Sequence, residues 1–236
     1  MESLDSYSIY WMIFIVFMVL SLIVSGTLNS RFKRYSKEPL RSGLTGKQIA
    51  EKMLQDNGIY DVKVVSTKGN LTDHYNPTNK TVYLSEGVYA SNSVSAAAVA
   101  AHECGHAVQH ATQYKWLKMR STMVPVVQFG TNWSRWLLLL GLILLGITPY
   151  VGLWMLYIGV GLFALSTIFA FVTLPVEYNA SSRALQWLDA SGITYGQESE
   201  HAKDALKWAA RTYVVAALSS LATLLYYILM IFGRRN

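Results

Sequence analysis

The sequence predicts a mainly α-helical integral membrane protein, with about four transmembrane helices and a cytoplasmic α+β part that holds a small antiparallel sheet. Of the 236 residues, 52% are hydrophobic and only 14% charged, against about 25% charged in ordinary soluble chains. Four stretches are apolar and long enough to cross roughly 30 Å of hydrocarbon at about 1.5 Å per residue. Between the first two lies a polar interval with helix caps and strand-like alternation, which predicts the α+β part.

The first span covers residues 7–26, "YSIYWMIFIVFMVLSLIVSG", with no charge inside it. A cleaved signal peptide is the rival reading. However, Glu2 and Asp5 precede the apolar run and no basic residue does, whereas secretory signals begin positively charged. An uncleaved anchor is therefore expected. Residues 136–175 form an apolar run too long for one span, and Thr148-Pro149-Tyr150 in its middle is a turn signal. A tight hairpin of two spans follows. The last span is residues 213–232, "YVVAALSSLATLLYYILMIF".

The formal net charge of +6 does not point to nucleic acid, because of where the charges lie. Arg31, Lys33, Arg34, Lys37 and Arg41 follow the first span, and the hairpin turn has no basic residue. Such clusters mark the cytoplasmic side of a bilayer. The expected topology is N-terminus out, a cytoplasmic segment over 28–133, the hairpin over 136–175, a second cytoplasmic segment over 175–212, and the last span. Arg234 and Arg235 would then lie outside, against the rule, but the larger cluster is expected to dominate. The single cysteine, Cys104, excludes an internal disulfide and agrees with a reducing compartment.

In the first cytoplasmic segment, Thr45 and Gln48 form a capping box for "TGKQIAEKMLQDNG", and Asn57-Gly58 stops that helix. "YDVKVVS", "NLTDHY" and "KTVYLS" read as three strands, with Asn76-Pro77-Thr78-Asn79 turning between the last two. Ser91 or Ser93 then caps a helix, "SVSAAAVAAHECGHAVQHAT", running to about Thr112.

That helix carries the chemistry. Residues four apart on a helix share a face, so His102 and His106 can present imidazole nitrogens to one zinc ion at about 2.0 to 2.1 Å. Glu103 points to the side of that face. There it can hold a metal-bound water, acting as general base and then passing the proton to a leaving amine. The cytoplasmic part is thus expected to be zincin-like. Gly105 allows close approach of another backbone. His110 continues the face by one more turn, but three histidines stacked over about 12 Å of helix cannot close on one ion. It is expected to be a polar neighbour. Cys104 lies roughly 200° around the helix from both histidines and is expected to be a packed thiol.

A catalytic zinc needs a third protein ligand and an open position. A third histidine six residues after His106 is absent, since Thr112 stands there. "LPVEYNASSRALQWL" offers a carboxylate instead: Pro175 starts or kinks a helix, and positions 177, 180, 181, 184 and 188 read Glu, Ala, Ser, Ala and Leu. That face is small and mostly apolar, and a buried carboxylate is costly unless paired. Glu177 is the candidate third ligand and Asp189 its rival.

"LTDHYNPTNKTVYLSEGVYASNSVSAAAVAAHECGHAVQH", "LPVEYNASSRALQWL" and "AARTYVVAALSSL", set around a hairpin of spans, resemble the YugP-like family of bacterial membrane-bound neutral zinc metallopeptidases over nearly the whole chain. That family is similar in layout to HtpX-type and CAAX-prenyl membrane proteases. The resemblance implies one Zn2+ held by His102, His106 and Glu177, with Glu103 catalytic, a gluzincin-like set. A protein or peptide substrate is expected, together with a multi-pass protein of the bacterial inner or plasma membrane whose site, by the distribution of basic residues, faces the cytoplasm. HtpX-type proteins usually carry Asp four residues after the glutamate, to hold a ligand histidine. Here Ser181 stands at that position, leaving open what orients the imidazole.

Strand Thr81–Ser85, just before the motif helix, offers an exposed edge that could align a substrate backbone by strand addition, or serve as an ordinary structural edge. Asp73, His74 and Tyr75 either line the cleft or form a turn network. A donor for the tetrahedral oxyanion could come from Tyr178, Arg183, His201, Arg211 or Tyr213, of which Arg183 and Tyr213 are the leading candidates. Two other functions compete with a zinc endopeptidase acting on membrane or misfolded proteins in quality control. One is a noncatalytic zinc scaffold or sensor, which would not need Glu103. The other is a site-2-type intramembrane protease, which would set the motif between long apolar flanks rather than after a polar sheet and Ser91-Asn92-Ser93. The sequence carries no signal for oligomeric state or partner subunits.

Overall fold

The structure, a computed structural model, describes residues 2–232. Among them seven helices and three strands follow in order: α1 (Glu2–Tyr35), α2 (Gly46–Asp56), β1 (Lys63–Thr67), β2 (His74–Asn76), β3 (Thr81–Ser85), α3 (Glu86–Tyr89), α4 (Val94–Ala111), α5 (Lys115–Leu145), α6 (Pro149–Ala190) and α7 (Gln197–Phe232). Arg234 and Arg235, the two residues at odds with the expected topology, lie outside the described residues. The chain divides into two compact units. The first is built from residues 1–23, 119–174 and 213–236, the second from 24–118 and 175–212.

In the first unit, apolar side chains face outward: Leu22 is 66% exposed and Leu229 70%, with Ile143, Trp154 and Leu225 also exposed. A helical surface this apolar suits hydrocarbon, where backbone polar groups are satisfied within each helix. Among the described residues, three helices are long and apolar enough to cross a membrane by length and composition: Ser8–Tyr35, Pro149–Ala190 and Gln197–Ile231. α5 is not among them; the polar residues Gln128, Thr131, Asn132, Ser134 and Arg135 leave only its last turns uniformly apolar. It still pairs with α6 across a tight turn, in which the Thr148 amide donates to the Leu144 carbonyl at 2.7 Å. Pro149 opens α6, where a missing amide hydrogen costs nothing. Hydroxyl pairs link the helices, Thr131 to Ser166 at 2.8 Å and Thr167 to Ser220 at 2.7 Å.

The second unit is built around α4. Ser93 caps it by accepting from the Ala96 amide. The segment after α1 pins its start, with the Val94 amide donating to the Glu38 carbonyl at 3.0 Å and a bridge between Pro39 and Ser93. The helix is rich in alanine because it is covered on most sides: Ala96, Ala97, Ala98, Ala100, Ala101 and Ala107 are all buried. α2 lies against one side, its N-terminus closed by the Thr45–Gln48 capping box and its end marked by Gly58 at φ +70°, a conformation that favours glycine. The Cys104 thiol donates to the Ala50 carbonyl there.

Two expectations need correction. The sheet is mixed, in the order β1-β3-β2, with β1 parallel to β3 and β2 antiparallel to it. Alternation identifies strands but does not say which pair, and β3 is buried on both faces apart from Tyr83, as suits a central strand. β3 therefore has no free edge to offer a substrate; the strands at the edges are β1 and β2. Second, of the two readings of Pro175, the start of a helix is excluded, since α6 runs through it. The proline ring removes one ladder bond, but Val176, Ala180, Ala184 and Leu188 are buried in the turns beyond and hold the helix in place.

Candidate metal centre

α4 presents His102 and His106 one turn apart, with ring centroids 4.8 Å from each other and nearly perpendicular planes. α6 brings Glu177 to them: its Oε2 lies 3.3 Å from His102 Nε2 and 3.6 Å from His106 Nε2. Two ligands of a tetrahedral zinc, each about 2.05 Å from it, are about 3.4 Å apart, so the spacing fits an ion between them. The three ligand atoms lie within 4.8 Å of one another, and among the described residues they are the one such group of three or more. Glu177 is 2% exposed. It follows the apolar part of α6, and its carboxyl is held below the usual range: burial alone would raise it, but hydrogen bonds from His102 and His106 and their charge outweigh that.

α4 and α6 can meet this closely because residue 105 is glycine. A Cβ there would sit 2.6 Å from the Ala180 carbonyl oxygen and 3.1 Å from two more backbone atoms of Ala180. Neither helix can yield without separating the histidines from Glu177. Gly105→Ala is expected to destabilise the fold by about 1–3 kcal/mol and to weaken zinc binding. Thermal unfolding and metal analysis check this. A variant that binds zinc as the parent does would show that the close approach is not required.

Each histidine is held from behind. Ser181 Oγ lies 3.1 Å from His102 Nδ1, in the place of the acid that HtpX-type proteins use. Gln109 Oε1 lies 3.1 Å from His106 Nδ1. Gln109 in turn donates to the Val176 carbonyl at 2.8 Å and to Asn179 Oδ1 at 3.0 Å. The sequence reading missed Gln109 and Asn179. The available signal was that Gln109, three residues after His106, shares its helix face.

Glu103 is 8% exposed and contributes no atom to the triad. Burial pushes its carboxyl up to about 7; the His102 ring opposes this, the Glu177 and Asp73 carboxylates add to it, and a hydrogen bond from the Tyr75 backbone opposes it. The metal-free folded protein therefore binds more protons than the unfolded chain between the ordinary value of 4.5 and about 7. Stability contributed by this group is full below that window and is lost as pH rises through it. Metal-free Glu103→Gln is expected to be more stable than the parent at pH 8, by on the order of 3 kcal/mol, and nearly equal to it at pH 4. Thermal unfolding at both pH values tests this, and a gap independent of pH would contradict it.

None of the other candidates contributes an atom to the triad. His110 Nδ1 meets the Tyr75 hydroxyl at 2.8 Å, and burial pushes that hydroxyl up to about 12. Cys104 is buried, which pushes its thiol up and suits an inert packed group. Asp189 is exposed and accepts from Ser199 Oγ at 2.7 Å and from Thr194. Asp73 takes part in a turn network, accepting from the Ser85 amide at 2.7 Å, and His74 stacks on Tyr83. Arg183 Nε donates to Asn179 Oδ1 at 2.8 Å, which ties it to the group behind His106. Tyr213 lies on α7 within the first unit. His201 bonds Glu38 at 2.6 Å, Arg211 lies 4.0 Å over the Trp208 ring, and Tyr178 is exposed.

Two imidazoles and a carboxylate converge from separate helices, with a buried glutamate beside them, a set of donors that could hold a metal ion and that is of the type found in hydrolytic zinc sites. Comparison with known proteins makes the class specific. Residues 10–232 match the family described as "putative neutral zinc metallopeptidase", and the chain belongs to it. It is 44% identical over 209 residues to the "Putative membrane protease YugP" of Bacillus subtilis (strain 168), an alignment covering 89% of this chain and 90% of that protein. No solved structure matches the chain.

Proposed function

We propose that the protein is a membrane-embedded zinc endopeptidase that cleaves membrane or misfolded proteins at the cytoplasmic face of a bacterial membrane. The observation that carries this reading is the convergence of His102, His106 and Glu177, with Glu177 Oε2 3.3 and 3.6 Å from the two imidazole nitrogens, beside a buried Glu103. These three side chains hold one ion. When bound, zinc supplies a Lewis acid that acidifies water and polarises a carbonyl.

Glu103 takes the proton of the attacking water as the new C–O bond forms, then delivers it to the amine nitrogen as the C–N bond breaks. The hydrogen bond from the Tyr75 backbone fixes Glu103 beside β2, and the edge of β2 is the one along which an extended substrate would align.

The topology keeps four spans, with the apolar end of α5 as the second and the site on the cytoplasmic side. Support comes from the basic residues Arg31, Lys33, Arg34, Lys37 and Arg41 after the first apolar stretch and from the uncharged turn at 146–148. The motif helix α4 lies outside the three apolar candidate spans, and Glu177, though within the helix Pro149–Ala190, follows the apolar run that ends at Pro175, which favours a site beside the membrane over one buried within it. Purified protein is expected to carry one zinc and to cleave an unfolded or membrane-inserted reporter protein, with loss of cleavage on chelation. Zinc-loaded protein that cleaves no reporter, together with membranes whose protein content is unchanged by its loss, would count decisively against this function.

A further inference from the structure

We infer that Gln109, Asn179 and Arg183 form a positioning relay that fixes the tautomer of His106 and reserves its Nε2 lone pair for the metal. The inference rests on the reading of His106 as a ligand.

The argument turns on two groups whose hydrogen-bonding role is fixed. The Val176 carbonyl can only accept, so the Gln109 group facing it at 2.8 Å must be the amide nitrogen. The Arg183 guanidinium can only donate, so the Asn179 group facing its Nε at 2.8 Å must be the carbonyl oxygen. That same oxygen accepts from Gln109 Nε2 at 3.0 Å. Both hydrogens of the Gln109 amide are then used, on Val176 and Asn179. Turning either amide over would set two acceptors or two donors against each other inside a site where Gln109 is fully buried. What remains of Gln109 is its Oε1, an acceptor, 3.1 Å from His106 Nδ1.

His106 must therefore carry a proton on Nδ1. Its Nε2 faces the Glu177 carboxylate at 3.6 Å, the side on which an ion would be held. His102 lacks this constraint, since its Nδ1 meets the Ser181 hydroxyl, which can donate or accept. The two ligands thus differ in how firmly they are set, and the firmer one is held by an arginine on α6, two hydrogen-bonded side chains away.

The test combines zinc affinity, from competition with a chelator, with 15N spectra of histidine-labelled metal-free protein, which report the tautomer. The parent is expected to show His106 as the Nδ1–H form. Gln109→Met, which preserves length and apolar packing, is expected to lower zinc affinity about 10- to 100-fold and to release the tautomer. Asn179→Asp keeps an acceptor for both Gln109 and Arg183 and is expected to retain parental affinity. Asn179→Leu is expected to lose affinity, and it serves if Gln109→Met does not fold. A parent that binds zinc together with a folded Gln109→Met, or failing that a folded Asn179→Leu, binding equally tightly would overturn the relay alone. So would a metal-free parent in which His106 is the Nε2–H form. A parent that binds no zinc while showing the Nδ1–H form would overturn the ligand reading and leave the relay standing.

Discussion

Glu103→Gln is expected to keep its zinc and lose peptide cleavage by about 10²- to 10⁴-fold in kcat. The side chain contributes no atom to the His102, His106 and Glu177 triad, so metal content should match the parent. An amide oxygen can still accept from the Tyr75 backbone, so the local geometry is retained. What is lost is the basic oxygen that takes the proton from water and returns it to the leaving amine. Metal analysis and single-turnover cleavage of a reporter protein measure the two halves separately. Membranes containing the variant should also accumulate or retain substrates that the parent removes. If the zinc-loaded variant performs as the parent does, Glu103 is not the base, and a noncatalytic zinc scaffold or sensor becomes the better account.

Glu177→Ala is expected to weaken zinc binding by at least about 100-fold. Structural zinc sites with four ligands bind with roughly 10–16 kcal/mol, so one ligand of ordinary weight carries about 3 kcal/mol, or two decades of affinity. The loss should also abolish cleavage, because the two histidines alone do not close the coordination on the α6 side. Asp189→Ala is the matched control. Asp189 holds Thr194 and Ser199 in the loop after α6, so its loss should loosen that loop and leave zinc affinity unchanged. The reverse pattern, zinc lost with Asp189 and retained without Glu177, would assign the third ligand to the wrong carboxylate.

Much of the site was legible because helix periodicity is local. Spacing along one helix places His102 and His106 on a common face and turns Cys104 away from it, and the same arithmetic gave the buried stripe Glu177, Ala180, Ser181, Ala184 and Leu188. The caps at Thr45 and Ser93 and the turn before Pro149 were equally readable, since each depends on neighbours within four residues. Sequence also supplied the apolar stretches, although the polar residues from Gln128 to Arg135 in α5 leave, among the described residues, three helices rather than four that qualify by composition alone.

Tertiary structure decided what depends on partners far apart in the chain. Strand alternation could not say that β1 runs parallel to β3 or that β3 is central, because pairing is chosen by burial across the sheet. Pro175 carried a local signal that allowed a helix start, and α6 instead runs through it, with the turns beyond it buried. Ser181 behind His102 and the Gln109, Asn179 and Arg183 relay behind His106 join residues 70 or more positions apart. The sequence by itself determined which residues could bind a metal, since that is a matter of side-chain chemistry and helical phase. Only the fold decided how they are held, because the orientation of an imidazole is set by whichever group the opposing helix brings to its far nitrogen, and that meeting is allowed by the missing Cβ of Gly105.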